Sequence, residues 1–123
     1  MTFRNIKLES GASIILGKDE KSNDELMKKF QGKSNIILHT VAPGSPFCVI
    51  ESSLNPSSQE ISVSGAWCAK YCQDWRDNKT DVKVSVFTGK DITKPTNAKA
   101  GTWKVKKSKT ITVKKEDILQ LER

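Results

Sequence analysis

The segment Val82-Lys83-Val84-Ser85-Val86-Phe87 sets the strongest limit on the fold. Its valines occupy every second position, and only an extended backbone sends alternate side chains to opposite faces, so the pattern predicts a strand with its valines turned to a core. Such a strand needs partners, and the chain supplies several. Phe3 to Leu8 alternates apolar and polar residues, Ser10-Gly11 offers a turn, and Ser13 to Leu16 resumes the apolar run, which reads as a β-hairpin. Ile36 to His39 and Phe47 to Ile50 are two more strands. Between them Pro43-Gly44-Ser45-Pro46 forces an irregular connection, since proline fixes φ and lacks a donor. Trp103 and Val105, then Ile111 and Val113, predict a further hairpin that turns across Lys106 to Lys109.

Helical spacing is confined to three places. Ser22-Asn23-Asp24-Glu25 has the Ser-x-x-Glu form of a capping box and predicts a short helix through Leu26, Met27 and Phe30 to a stop near Gly32. Glu51 to Gln59 is polar and reads as a surface loop. From Ser62 to Trp75 the residues Val63, Ala66, Trp67, Tyr71 and Trp75 recur at helical intervals, predicting the main helix, which ends at Asp77-Asn78. A last helical turn or two follows from Glu116 to Leu121. The class is α+β, a mainly antiparallel sheet packed against one main helix with short additional helices, in a single domain over residues 1–123.

Charge is placed very unevenly along this frame. The total is +7, yet residues 1–81 hold ten basic and ten acidic side chains, whereas residues 82–115 hold ten lysines against Asp91 alone, a net of +9. A one-sided field of this kind attracts polyanions, nucleic acid or anionic lipid, although a lysine-rich face also serves plain solubility. No apolar run of about 18 residues and no signal-peptide pattern is present, and three cysteines without disulfide spacing fit a reducing compartment. A cytoplasmic location is expected.

Chemistry-bearing residues are sparse. His39 is the single histidine, at the end of an apolar strand where a structural imidazole is the commoner case, and Ser45 lacks the setting of a nucleophile elbow. Gly17-Lys18 lacks the spacing of a phosphate loop. Lys18 with amides at the following helix start still forms a milder anion site. Cys68 and Cys72, with Cys48 and His39, contain no compact metal knuckle, so buried free thiols and no metal are expected. Trp67, Tyr71 and Trp75 form a helical stripe that reads as core packing ahead of a base-stacking platform. Trp103, set among Lys99, Lys104, Lys106 and Lys107, is expected to be buried; in a partly exposed position it is the aromatic best placed to stack on bases.

In order and spacing these pieces resemble the NFACT-R domain, the RNA-binding module of NFACT proteins of ribosome-associated quality control, which also occurs alone as a small protein. The resemblance runs from the first hairpin to Val113. It is carried by Gly17-Lys18-Asp19 with Asn23-Asp24 and Leu26, by Leu38-His39 with Pro43-Gly44-Ser45, by Val84, Val86 and Thr88, by Lys94-Pro95 with Ala98 to Gly101, and by Ile111-Thr112-Val113. It departs at Ile37, where the family has tryptophan, at Pro46, where it has histidine, and at Phe87, where it has tyrosine. A role needing both family histidines is therefore not implied.

The resemblance implies an RNA-associated role at tRNA or rRNA, with DNA open as a second polyanion and a ribosomal or other protein partner as a further reading. It supplies no cofactor and no established chemistry for the domain alone. The glycosylase-like domain and coiled coil of longer NFACT proteins have no counterpart here, so tail-building is not carried over. The expected function is a non-enzymatic binding module in which Lys90, Lys94, Lys99, Lys104, Lys106, Lys107 and Lys109 neutralise phosphates, while Lys18, Asn23, His39 and Ser45 add hydrogen bonds from a neighbouring pocket. The alternative is an RNA-modifying enzyme or subunit using His39 and Ser45.

Overall fold

The computed structural model describes residues 3–123. The alternating segment forms β5 (Val82–Thr88), and its neighbours are β3 (Ile36–Thr40) on one side and β8 (Lys109–Val113) on the other. The first hairpin forms as expected from β1 (Arg4–Lys7) and β2 (Ser13–Leu16), and β4 (Cys48–Ile50) joins it to β3. One six-stranded sheet results, in the order β1-β2-β4-β3-β5-β8, with every pair antiparallel.

Both faces of this sheet carry core, which goes beyond one sheet on one helix. On one face Ile14, Leu16, Leu38, Cys48, Ile50, Val82, Val84 and Val113 pack under α2 (Ser58–Lys70), α3 (Gln73–Asn78) and α4 (Lys115–Leu121). On the other, Ile15, Ile37, Val49 and Phe87 meet Leu26, Met27 and Phe30 of α1 (Glu20–Phe30). The strict alternation of Val82 to Phe87 thus conceals a second buried surface. Phe87 is buried on the α1 side, while Lys83 and Ser85 on that same side reach solvent or lie half-buried, so this face is covered only at one end.

Two helices differ from expectation in their bounds. Helix α1 starts earlier because Asp19 is its N-cap: the Ser22 amide donates to the Asp19 carboxylate at 2.8 Å and the Ser22 hydroxyl accepts from the Asp19 amide at 3.0 Å. Ser22 therefore closes a capping box one turn before the one read from Ser22 and Glu25. The main helix does not run from Ser62 to Trp75. It begins at Ser58, where Ser57 and Glu60 form a reciprocal box, and ends at Lys70; Cys72 is extended and its sulfur accepts from the Trp75 amide to open α3. The aromatic stripe is accordingly split. Trp75 is fully buried, and Trp67 and Tyr71 are half-buried on the preceding helix and at its end.

The hairpin expected across Lys106 to Lys109 does not form. Instead β6 (Ile92–Thr93) pairs with β7 (Lys104–Val105) as a separate two-stranded ribbon, and β8 takes the edge of the main sheet. The intervening residues form a loop that returns to α1, where Gly101, at φ +82°, lies against the Glu20 backbone. A pairing between distant strands won over the local one because Ile92 and Val105 cover the otherwise bare end of the α1-side core.

Candidate functional site

Two separate clefts contain the four pocket residues selected from sequence, Lys18, Asn23 and Ser45 in one and His39 in the other. The first, of about 250 Å³, is lined by Gly17, Lys18, Asp19, Asn23, Gly44 and Ser45 together with Arg4, Tyr71 and Arg76. It brings the Gly-Lys and Pro-Gly-Ser blocks side by side. Asn23 is the join: its side-chain oxygen accepts from the Phe47 amide at 3.0 Å and its amide nitrogen reaches the Ser45 carbonyl at 3.5 Å. Gly17 is required by this contact, because a Cβ there would lie 2.0 Å from the Asn23 oxygen. Gly44, at φ +90°, accepts from the Gln73 amide through its carbonyl and so fixes the loop to α3.

The anion site expected from free helix amides is largely filled by the protein itself. The Lys18 and Asp19 amides donate to the Ser22 hydroxyl, and the Ser22 amide donates to Asp19. The hydrogen bonds from the Ser22 amide and hydroxyl hold the Asp19 carboxyl below its usual range, so it stays ionised in the cleft wall. What remains for a ligand is side-chain charge: Lys18, exposed; Arg4, stacked 4.0 Å above the Tyr71 ring; and Arg76. Neither arginine was legible as a site residue, since nothing local in the sequence says that β1 and α3 end beside one loop.

His39 lies in the second cleft. This one, of about 330 Å³, sits on the α1-side face of the sheet, with His39, Ser85 and Phe87 from the strands and Gly101, Thr102, Trp103 and Val105 from the returning loop. The imidazole rests on Phe47 with ring centres 4.4 Å apart, and burial holds its pKa below the usual value, so it is neutral at pH 7. The imidazole lies against the Thr40 and Ser45 backbone, but the Ser45 hydroxyl is engaged elsewhere. It accepts from the Thr40 amide at 3.1 Å and donates to the Pro46 carbonyl at 3.2 Å, which leaves the two residues without the mutual hydrogen bond that a serine–histidine pair requires.

Asp24 connects the second cleft to α1. One of its carboxylate oxygens accepts from the Lys94 ammonium, from the Gly101 amide and from the Trp103 indole N–H, the latter two at 3.1 Å, and the other oxygen takes Lys28 at 3.2 Å. Burial pushes this carboxyl up, but Lys94, Gly101 and Lys28 outweigh it and hold the group well below the usual carboxylate range. Trp103 is consequently half-buried and pinned, not enclosed as expected. Lys94 lies 5.2 Å from the centre of its ring.

The other lysines of the expected set are presented to solvent. Lys90, Lys99, Lys104, Lys106, Lys107 and Lys109 are exposed and carry no ion pair among the described residues. Lys83, missed from sequence, is exposed as well, on the same face as Ser85. The three cysteines are buried thiols; burial pushes Cys68 up to about 12 and Cys48 up strongly, which keeps them protonated and poor nucleophiles. Among the described residues no group of three or more metal-ligating side chains occurs, and no helix is long and apolar enough to cross a membrane.

A family model described as the NFACT protein RNA binding domain matches residues 1–109. The chain belongs to that family. RNA is thus the partner class of this NFACT RNA-binding domain. The Rqc2 homolog RqcH of Streptococcus suis (strain 05ZYH33) is 32% identical over 111 residues, which are 89% of this chain and 20% of that protein. The solved C-terminal part of the fibronectin/fibrinogen-binding protein from Streptococcus suis shares the fold with a TM-score of 0.85 at 24% identity, over 98% of this chain and 49% of that one. The NFACT domain described here therefore spans a fifth of the curated relative and about half of the solved one.

Proposed function

We propose that this NFACT domain grips RNA chiefly by its phosphates, through Lys90, Lys99, Lys104, Lys106, Lys107 and Lys109, in a cytoplasmic, ribosome-associated setting where tRNA or rRNA is the ligand. The observation that carries the reading is that six of the seven lysines selected from sequence stand exposed and without a carboxylate partner among the described residues. An ammonium without a partner releases counterions from a phosphate on contact; one already neutralised gains little. Lys94 therefore leaves the phosphate set, because Asp24 holds it. The first cleft adds Lys18 and Arg76 at a distance in sequence, tempered by Asp19 and Glu20 in the same wall. The likeness to an Rqc2 homolog supports the ribosomal setting.

Salt titration tests the mechanism. On single-stranded RNA each neutralised phosphate contributes about 0.7 to the slope of log affinity against log salt. Replacing Lys106 and Lys107 together by alanine is expected to lower that slope by about 1.4 with the fold intact. An affinity that stays flat between about 50 and 200 mM salt sinks the electrostatic reading. Turnover of an RNA substrate that is lost in His39→Ala while binding persists would instead favour the enzymatic alternative.

A further inference from the structure

The phosphate contacts leave the second cleft without a task, although it is the more elaborately built of the two. Across three strands His39 faces Ser85 and Ser85 faces Thr110, so one polar row crosses the sheet on the side turned away from α2 and α4. Helix α1 and Phe47 cover this face at one end and leave it open at the other, where Val41 is 56% exposed and Lys83 reaches solvent. Above the row stands the loop 101–105, held down through Asp24 by the Gly101 amide and the Trp103 indole. Its volume of about 330 Å³ lies at the low end of the range of about 300–1,000 Å³ usual for small-ligand sites, suited to one planar group and not to a helix.

We propose that this cleft takes a single unstacked base of the bound RNA, with Trp103 as the stacking surface, His39 and Ser85 as hydrogen-bond partners for the base edge, and Lys83, Lys104 and Lys106 on the flanking phosphates. The proposal rests on the RNA reading above. Three features favour a base over another occupant. Aromatic and apolar surface from Trp103, Phe87 and Val105 lines the site, which a base face uses and a free phosphate does not. The Ser85 hydroxyl offers a donor and an acceptor, and the neutral imidazole, which lies against the Thr40 and Ser45 backbone, adds one further polar edge toward a base. Exposed lysines lie close by in the chain, Lys83 two positions from Ser85 on the same sheet face and Lys104 and Lys106 alternating with Trp103 and Val105, so a strand passing the cleft meets positive charge. Pinning by Asp24 matters here because a stacking surface fixed before binding loses less freedom on contact.

Equilibrium binding to a single-stranded RNA dodecamer and to an abasic ribose-phosphate strand of the same length separates the two contributions. The natural chain is expected to prefer the base-bearing strand by about tenfold or more. Trp103→Ala should remove most of that preference and leave the abasic affinity and the salt slope unchanged. Because Trp103 also contacts Asp24, Ser85→Ile serves as a second variant: it fills the cleft from a strand position that accepts a β-branched residue, and should remove the same preference. Equal affinity of the natural chain for the two strands, or a preference that survives in Ser85→Ile, overturns the base site. Binding to neither strand overturns the parent RNA reading instead.

Discussion

Asp24 is the residue that ties the loop 94–103 to α1. It is nearly buried, and its carboxylate satisfies an ammonium, a backbone amide and an indole that come from a loop 70 or more positions away in the chain. Asp24→Ala leaves Lys94 and the indole N–H without partners and is expected to cost about 3 kcal/mol in urea unfolding. Its titration has a definite sign. The folded-state pKa lies below the unfolded one, so the stabilisation is complete above the usual aspartate range near 4 and is lost as pH falls below it. Asp24→Asn should therefore flatten the acid limb of stability against pH; an unchanged limb would show that other carboxylates govern it. His39 acts in the same direction at higher pH, since burial lowers its pKa and proton uptake below the usual histidine range favours the unfolded chain. In sequence Asp24 was one letter of a motif, with no sign that its partners were Gly101 and Trp103.

At the scale of elements, the division of the expected main helix has the largest effect on packing. A continuous helix would have kept Trp67, Tyr71 and Trp75 on one stripe. The break at Tyr71-Cys72 frees Trp75 to turn fully into the core, where its indole N–H donates to Glu122 at 3.1 Å and ties the end of α4 to α3. Trp75→Ala is expected to cost about 3–5 kcal/mol, whereas Ser57→Ala, which removes the hydroxyl cap of α2, should cost about 1 kcal/mol. Urea midpoints at constant m-value measure both, and a Ser57→Ala loss equal to that of Trp75→Ala would contradict this ranking. The start of α2 was written in Ser57 and Glu60 all along. Its end was not, because helical spacing continues through Tyr71 to Trp75 while the backbone does not.

Across the whole molecule the lysine-rich third is divided among three structures. Lys83 and Lys109 ride on the main sheet, Lys104 on the small ribbon, and Lys90 and Lys99 on turns and loops, with Lys94 drawn inward. Like charges gathered on a folded surface repel, and salt screens that repulsion, with a Debye length that falls from about 30 Å at 0.01 M to about 3 Å at 1 M. Raising salt should thus raise the Tm of the free NFACT domain while it weakens RNA binding. A calorimetric series in chloride salts checks the first half, and a Tm that falls over that range would mean that attractive pairs dominate the charge balance. Lys109 on β8 also lies at an open sheet edge, where charge opposes pairing with another strand.

The sequence alone determined the local order: which segments of the main sheet extend, that helices lie around Leu26 and Ile118, that β1 and β2 form a hairpin, and that positive charge gathers after Asp81. Side-chain period and turn chemistry act over a few residues, so a string of letters contains them. Tertiary structure decided what those elements meet. Only the folded chain places Gly17-Lys18 beside Gly44-Ser45, turns the Ser45 hydroxyl to the Thr40 amide and the Pro46 carbonyl, pairs Val105 with Ile92 in preference to a strand close behind it, and sets Trp103 over the sheet through Asp24. Most of those contacts join residues from separate elements, and their energies depend on which buried surface is left uncovered after the rest of the core has formed.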